Sequence, residues 1–430
     1  MQISSSVWII LIGALVACSC ALVGSFLVLR RMAMLGDAIS HAVLPGIAIA
    51  FLLTQSRSSL PMLIGATALG ILTAFIVQLL NKGGRVQGDA AIGVTFTALF
   101  AIGVVLISLY ADKVDLDQEC VLYGEIAYAP FDVLKVNGVS WGPRAFWQMF
   151  GIFAICTATI LTLFKELKVS AFDPEMATAL GINVAVMHYI LMALVSITTV
   201  GAFELVGAIL VVAMLIVPAA TAYLLTDDLR KMLFLSMLCG ILSSTGGYLA
   251  AQRFDASIAG AITVVAGILF TLAILFSPSH GVVARWLSQR SLSRQIGEED
   301  ALQMLWRQGE LAAASPGVLA SLDTNTFATL AHYEKGTART ALQGLKRDGL
   351  ARSEAGQFEL TDNGRSAAQQ LVHRHRVYET FLGDLGYPSD HVHPAADRTE
   401  HFISPQLVTE LDNAAGNPQS DPHGKPIPHD

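Results

Sequence analysis

Residues 205–225, LVGAILVVAMLIVPAATAYLL, run for 21 positions without a charged side chain. A helix of that length rises about 30 Å, the thickness of a bilayer's hydrocarbon core, and a helix satisfies its own backbone groups where water is absent. The segment reads as a membrane span. Working outward from it, comparable apolar runs cover roughly 7–29, 41–53, 60–80, 90–110, 146–164, 188–201, 232–250 and 261–276, so nine spans are expected. The second and sixth are short and adjoin Pro45 and Gly201, and interrupted spans of this kind line water-filled paths in transporters. No basic region precedes the first run, so Val7–Leu29 reads as a retained span rather than a cleaved signal.

Composition sets the outer bounds. The 430 residues are 53% hydrophobic and 14% charged, where soluble domains carry about a quarter charged residues. The charge is also unevenly placed. Residues 1–280 hold 13 Lys and Arg and 15 Asp and Glu, whereas the shorter 281–430 holds 14 and 19. A membrane part followed by a soluble part is the expectation. The net charge of −7 argues against nucleic-acid affinity driven by bulk basic charge. Cys18, Cys20, Cys120, Cys156 and Cys239 show no CxxC spacing, and four lie in apolar runs, where they read as small buried hydrophobes.

Basic residues set orientation. Arg30/Arg31, Lys82/Arg85, Lys165/Lys168 and Arg230/Lys231 follow spans one, three, five and seven, which places all four clusters on one face, the cytoplasmic one. The N-terminus is then outside and the soluble part inside. Arg57, and Lys113, Lys135 and Arg144 in the loop 111–145, run against the rule.

Within RRMAMLGDAISHAVLPGIAIA (30–50), Asp37 and His41 stand four apart on one helical face, at the edge of a short span. Carboxylate and imidazole suit a borderline-hard divalent ion, and ionisable groups at membrane depth mark substrate paths. The competing reading is structural, with Asp37 as a helix cap and His41 satisfying a backbone carbonyl. Glu204, in AFELVG between spans six and seven, binds metal in passage or caps a helix; Asp89 reads as a helix-start acid.

GDAISHAVLPG (36–46), AIGVTFTALFAIGVVL (91–106), FDPEMATALGI (172–182) and VGAILVVAMLIVPAATA (206–222) together resemble the ABC permeases that import manganese, zinc or iron, over almost all of residues 7–277. The resemblance implies a transporter subunit that is not itself an enzyme, with a separate ATP-hydrolysing subunit, a second permease subunit and an extracytoplasmic metal-binding protein as partners. The chain has no GxxxxGK[ST] phosphate loop. By the same resemblance Asp37 and His41 are ligands of the translocation path. Phe172, Asp173, Pro174, Glu175 and Gly181 then belong to a coupling segment that seats in a groove of the ATPase, its short helix opened by Pro and two acids.

Beyond the spans, PSHGVVARWLSQRSLSRQIG (278–297) carries only basic charge and reads as a linker able to rest on anionic membrane lipid. Residues 299–366 read as helix, helix, helix and β-wing: Glu299–Arg307, Thr326–Tyr333, Thr337–Asp348, then a two-stranded wing in 349–364 around Gly356. His375, Glu379, His393, Asp397, Glu400 and His401 then concentrate six N/O ligands in 27 positions, with 397, 400 and 401 on one side of a helix. RDGLARS, LTDNGRSAA, HRVYETFL, HVHPAADRTEH and DPHGKPIP resemble, in order, the metal-dependent repressors of the diphtheria toxin repressor type.

That second resemblance implies two metal sites. Asp300, Asp397, Glu400 and His401 form one; His375, Glu379 and His393 form or share its neighbour. Iron-type members carry Met and Cys where this chain has Asp300 and Asp397, and oxygen ligands favour Mn²⁺, with Fe or Zn as alternatives. Gln303 departs from the manganese-type pattern, which has an acid there. Thr337, Arg339, Thr340 and Gln343 of TARTALQGLKRD are candidates for DNA contact, while Gly344, the negative charge and the membrane tether favour a sensor that gates transport without DNA.

The fold class expected is therefore mainly α. A polytopic membrane permease domain (1–280) is followed by a linker (281–297), a winged helix-turn-helix (298–366) and a helical metal-binding and dimerisation domain (367–430). The rival functions are a secondary metal transporter, against which the FDPEMATALGI segment speaks, and a membrane-held metal-dependent repressor with the permease half as anchor. Nine spans exceed what an anchor needs.

Overall fold

The computed structural model describes residues 4–54, 59–82, 86–110, 126–136, 139–278, 281–315 and 320–428. Arg57, Arg85, Lys113 and Cys120 lie outside the described residues. The chain divides into two compact units, one ending at Arg285 and one beginning at Trp286.

In the first unit α1 (Ser5–Leu29), α2 (Ala33–Ala42), α3 (Leu44–Thr54), α4 (Ser59–Lys82) and α5 (Gly88–Tyr110) precede a hairpin of β1 (Val133–Val136) and β2 (Val139–Pro143). Then come α6 (Arg144–Thr162), α7 (Phe164–Phe172), α8 (Pro174–Ala179), α9 (Val184–Leu225), α10 (Leu229–Phe254) and α11 (Ile258–Phe276). Among the described residues nine segments are long and apolar enough to cross a membrane. The fold is mainly helical, as expected.

α1 is the central helix, with Ile12, Val16, Cys20, Val23 and Phe26 buried against α9 and α10. Lipid offers helices no hydrophobic reason to associate, so close packing must hold them, and small residues permit it. A Cβ on Gly24 would lie 1.8 Å from the Leu215 carbonyl oxygen, and one on Gly240 3.0 Å from the Ala17 Cβ. Polar side chains inside the spans bond back to their own helix, as Ser25 Oγ does to the Ala21 carbonyl at 2.7 Å and Thr221 Oγ1 to Val217 at 2.7 Å. Leu53, Ile64, Leu79, Leu109, Val264 and Phe276 point outward, which suits a hydrocarbon surround.

Two breaks differ from expectation. The second span is longer than 41–53: α2 and α3 together make a 22-residue segment, Ala33–Thr54, interrupted at Val43, with Pro45 inside α3. Asp37 and His41 depress the apolar signal of residues 33–42, which hides that half of the span in the sequence. In α9 the break falls at Gly207 (φ 79°, ψ 164°), near the start of span seven, and not at Gly201 in span six. Gly201 is a packing glycine, whose Cβ would meet Ile152 Cδ1 at 2.2 Å, whereas Gly207 supplies a left-handed backbone that a side chain disfavours.

α12 (Val282–Ala314), whose residues from Trp286 onward belong to the second unit, is followed by β3 (Leu322–Asp323), α13 (Thr324–Leu330), α14 (Lys335–Arg347), β4 (Ala351–Glu354) and β5 (Gln357–Leu360). α15 (Asp362–Asp384), α16 (Ser389–Thr399), a 3₁₀ turn (Glu400–Phe402) and α17 (Pro405–Ala414) complete it. Residues 282–297, read as a linker, are helical and form the first half of α12. The β-strands pair in the order β3-β5-β4, all antiparallel, with Leu322 opposite Phe358 and Glu354 opposite Gln357, so the wing gains a third strand. Ala355 and Gly356 (φ 52° and 84°) make its two-residue turn. Ala301, Leu305, Phe327, Leu342, Leu345 and Phe358 form the core beneath.

Gly344 has a packing reason to sit inside α14. A Cβ there would lie 1.9 Å from a Glu298 carboxylate oxygen, so the glycine, which costs about 1 kcal/mol of helix propensity, lets α12 and α14 approach.

Candidate metal centre

α2 carries the first candidate pair. His41 Nε2 lies 3.6 Å from Asp37 Oδ1, and the two side chains are 37% and 35% exposed. The His41 ring is flanked by Phe96 and Phe100 of α5 at 6.0 and 6.3 Å between centroids. The opposite face, with Gly36 and Ser40, is buried. The cap of α2 is Met32, four residues and more from Asp37, so Asp37 is not the helix cap. Glu204 lies on α9 between the two spans, and its side chain lies outside what the structure describes.

The FDPEMATALGI segment forms the end of α7, α8 and a turn. Asp173 caps α8, its Oδ1 accepting from Met176 N at 2.9 Å, and Pro174 follows at the first helical position. Phe172, Met176 and Leu180 are more than half exposed, a row of apolar side chains beside Glu175, and Gly181 turns the chain with φ 80°. Asp89 lies in the first turn of α5.

The second unit gathers the remaining ligands into two adjoining clusters. His375, His393 and Asp397 form one, Asp300, Glu400 and His401 the other, and in each the donor atoms lie within 4.8 Å of one another. His375 Nε2 is 3.0 Å from His393 Nδ1 and 3.2 Å from Glu379 Oε1. His401 Nε2 is 3.4 Å from Asp300 Oδ1 and its Nδ1 2.7 Å from Glu299 Oε2.

Asp397 therefore joins His375 and His393, with its carboxylate 3.6 Å from each, rather than Asp300 as the sequence reading had it. The reason is local. α16 ends at Thr399, and Glu400 and His401 stand on a 3₁₀ turn, where His401 meets Asp300 and Glu299 of α12, and Glu400 meets Gln303 of α12 as well as His375.

Glu400 joins the clusters. It is fully buried, its Oε2 hydrogen-bonds His375 Nδ1, and its Oε1 lies 3.9 Å from His401 Nε2 with no hydrogen-bond partner. A buried carboxylate oxygen left unpaired costs free energy unless a cation meets it, so the donor set fits a divalent ion. Burial disfavours charge on His375, yet hydrogen bonds to Glu379 and Glu400 outweigh it and its pKa is pushed up to about 9. His401 is likewise opposed by burial and raised to about 9 by Asp300 and Glu299. Burial pushes Glu379 upward, but His375 and His393 hold it far below the carboxylate range. These shifts favour the protonated form of His375 and His401 at neutral pH.

Five further residues belong to this network. Glu299 ties His401 to Arg374 at 3.5 Å, and Tyr333 donates to Asp300 Oδ2 at 2.5 Å. Arg307 Nη2 lies 3.7 Å from Asp397 and 3.5 Å from His393, and the Gln303 amide reaches Glu400 Oε2 at 3.5 Å. The run Glu298-Glu299-Asp300 carried a signal for Glu299; nothing in the sequence singled out Tyr333. Thr337, Arg339, Thr340 and Gln343 are all exposed along α14, while Ala338, Ala341 and Leu342 are buried.

A bundle of nine apolar segments with a carboxylate–imidazole pair, joined to a unit rich in N/O ligands, defines a multi-pass membrane transport protein with a metal-binding domain. Residues 2–277 match the family model described as ABC 3 transport family, and residues 361–429 match that described as iron dependent repressor, metal binding and dimerisation domain. The chain belongs to the ABC 3 transport family, as a membrane permease fused to a repressor-type metal-binding domain. It is 52% identical to the manganese transport system membrane protein MntD of Bacillus subtilis, over 68% of this chain and 99% of that one. It is 47% identical to the zinc transport system membrane protein TroD of Treponema pallidum, over 67% and 78%. Among solved structures, PsaBC from Streptococcus pneumoniae in complex with Fab matches with a TM-score of 0.56 and 32% identity, over 67% of this chain and 96% of that chain.

Proposed function

We propose that this permease imports a divalent metal ion, Mn²⁺ first with Fe²⁺ or Zn²⁺ as alternatives, and reads the same ion with its second unit. One observation carries the proposal: carboxylate and imidazole occur together both in the second span, at Asp37 and His41, and in the soluble clusters. Among the described residues no thiolate joins either set, and oxygen-rich donors favour Mn²⁺ over softer ions. Asp37, His41 and Glu204 are the ligands of the path. The likeness to manganese and zinc transport proteins supports the same substrate class.

A separate ATPase subunit docks on Phe172, Asp173, Pro174, Glu175 and Gly181, whose exposed apolar row beside an acid suits a groove with a basic rim. A second permease subunit and an extracytoplasmic metal-binding protein complete the importer, with the N-terminus outside and the second unit in the cytoplasm. In that unit Asp300 and His401 hold one ion, His375, Glu379, His393 and Asp397 hold the other, and Glu400 reaches both. A bound ion ties α12 to α15, α16 and the 3₁₀ turn. It shifts the unit's conformational equilibrium only by its preference for the clamped state. The exposed row Thr337, Arg339, Thr340 and Gln343 then contacts DNA, or the clamped state gates transport.

The test is Mn²⁺ uptake by the permease reconstituted with its ATPase. Uptake that requires ATP and stops in Asp37→Ala and His41→Ala is the expected result; wild-type uptake in either variant, or uptake without ATP, removes the proposal.

A further inference from the structure

A cavity lies in the first unit, apart from Asp37 and His41. It has a volume of 470 Å³ and is lined by Arg30 and Arg31 between α1 and α2, Gln78 of α4, Ser170 of α7, Pro174 of α8 and His188 of α9. Among the described residues no carboxylate lines it. Arg30 Nη2 donates to Ser170 Oγ at 2.7 Å, but Arg30 Nε is buried without a hydrogen-bond partner, and so is Gln78 Oε1. A half-turn of the Gln78 amide would present its NH₂ group instead. The wall is cationic and holds a buried guanidinium donor that the protein does not satisfy.

Its depth is equally informative. α1 ends at Leu29, α2 begins at Ala33, α4 ends at Lys82 and α9 begins at Val184, so the cavity sits where span ends meet. In a bilayer that level holds lipid phosphates. Basic pockets between transmembrane helices at this level bind anionic headgroups.

We propose that this cavity is a headgroup site for an anionic phospholipid, with Arg30 and Arg31 as the phosphate ligands. The headgroup phosphate accepts from the Arg30 Nε–H and from the Arg31 guanidinium, which is exposed in the cavity wall. Arg30 also holds Ser170, and α7 leads directly into Asp173 and α8, so an occupied site fixes the entry to the exposed segment Phe172–Gly181. A free phosphate has the same chemistry but must arrive from solution, whereas the leaflet delivers the lipid at this depth. This inference stands on the membrane fold and does not depend on which ion is carried.

The experiment is native mass spectrometry of the full chain, extracted from bilayers of equal parts phosphatidylcholine and phosphatidylglycerol. Arg31→Gln is the main variant, since Arg31 is exposed and its loss leaves the core intact; Arg30→Gln is the second, and Arg253→Gln at the exposed end of α10 is the control. Retained phosphatidylglycerol should fall about fivefold in Arg31→Gln, the equivalent of ~1 kcal/mol for one basic residue near the surface. It should fall further in Arg30→Gln and not at all in Arg253→Gln. Equal retention in all four proteins overturns the site. Equal thermal stabilisation by inorganic phosphate in pure phosphatidylcholine overturns the lipid as its ligand. Loss of ATPase co-purification in Arg31→Gln with lipid retention unchanged makes the cavity a protein-docking surface, which also overturns it.

Discussion

Two places where this chain sets imidazole beside carboxylate, α2 and the clusters of the second unit, are built in opposite ways. On α2, His41 and Asp37 face each other at 3.6 Å, each about a third exposed, with two phenylalanine rings as neighbours. In the second unit His375 and Glu379 have the same spacing of four on a helix, yet both are buried and each is engaged by further ligands. The difference teaches what each arrangement is suited to hold. Few ligands with open sides bind an ion loosely enough to release it, whereas interlocked ligands hold it and order the elements that carry them. One pair reads as a path and the other as a reader.

The comparison breaks first, and with the largest effect, at α2. Asp37→Ala and His41→Ala should reduce Mn²⁺ uptake to background while the protein still co-purifies with its ATPase. In the reader, the same exchange at His375 should leave uptake within about twofold at Mn²⁺ concentrations too low to fill the second unit, because the domain is not on the path; a transport assay on both sets of variants measures the contrast.

Next in size are changes in FDPEMATALGI. Glu175→Lys reverses an exposed charge, and Gly181→Pro forces φ to about −65° where the turn has φ 80°. Each should abolish transport-linked stimulation of ATP hydrolysis while Mn²⁺ binding to the second unit stays as in wild type. Stimulation retained in both variants would place the coupling elsewhere.

Within the second unit the two clusters can be separated. Glu400→Ala should remove both ions from the reader, whereas Asp397→Ala should remove one, with a loss of affinity of roughly 10–100-fold at that cluster. Metal content after dialysis decides it. Equal losses in the two variants would mean that the clusters are a single site.

The smallest effect is on pH. His375 and His401, raised from 6.5 to about 9, stabilise the metal-free unit fully below pH 6.5, and that contribution is lost as pH rises through about 9. The metal-free unit should therefore melt a few degrees lower at pH 9.5 than at pH 6.5. Mn²⁺ binding should change in the opposite direction, strengthening over the same window because the ion no longer displaces protons. Calorimetry with and without Mn²⁺ reads both slopes, and parallel slopes would contradict the protonated histidines.

Spans such as 205–225 were legible because a charge-free run has few alternatives to a bilayer. The breaks were not. Gly201 and Gly207 look alike in sequence, and only the Ile152 side chain against one and the backbone turn at the other separate them. The donor inventory was legible because His, Asp and Glu are dense between 375 and 401, but their partition was not. Asp397, Glu400 and His401 share one face only if the helix continues, and it stops at Thr399. Tyr333 and Arg307 were invisible for a different reason. Each reaches the centre from a position distant in sequence, where a lone tyrosine or arginine signals nothing.

The buried Glu400, shared between two clusters, has a consequence for how such a domain counts ions. Its two oxygens face different seats, Oε2 at His375 and Oε1 toward His401, so an ion in either seat would fix a side chain that the other seat also meets. Two such seats would then fill as coupled events, and the domain would report on the ion through one shared side chain.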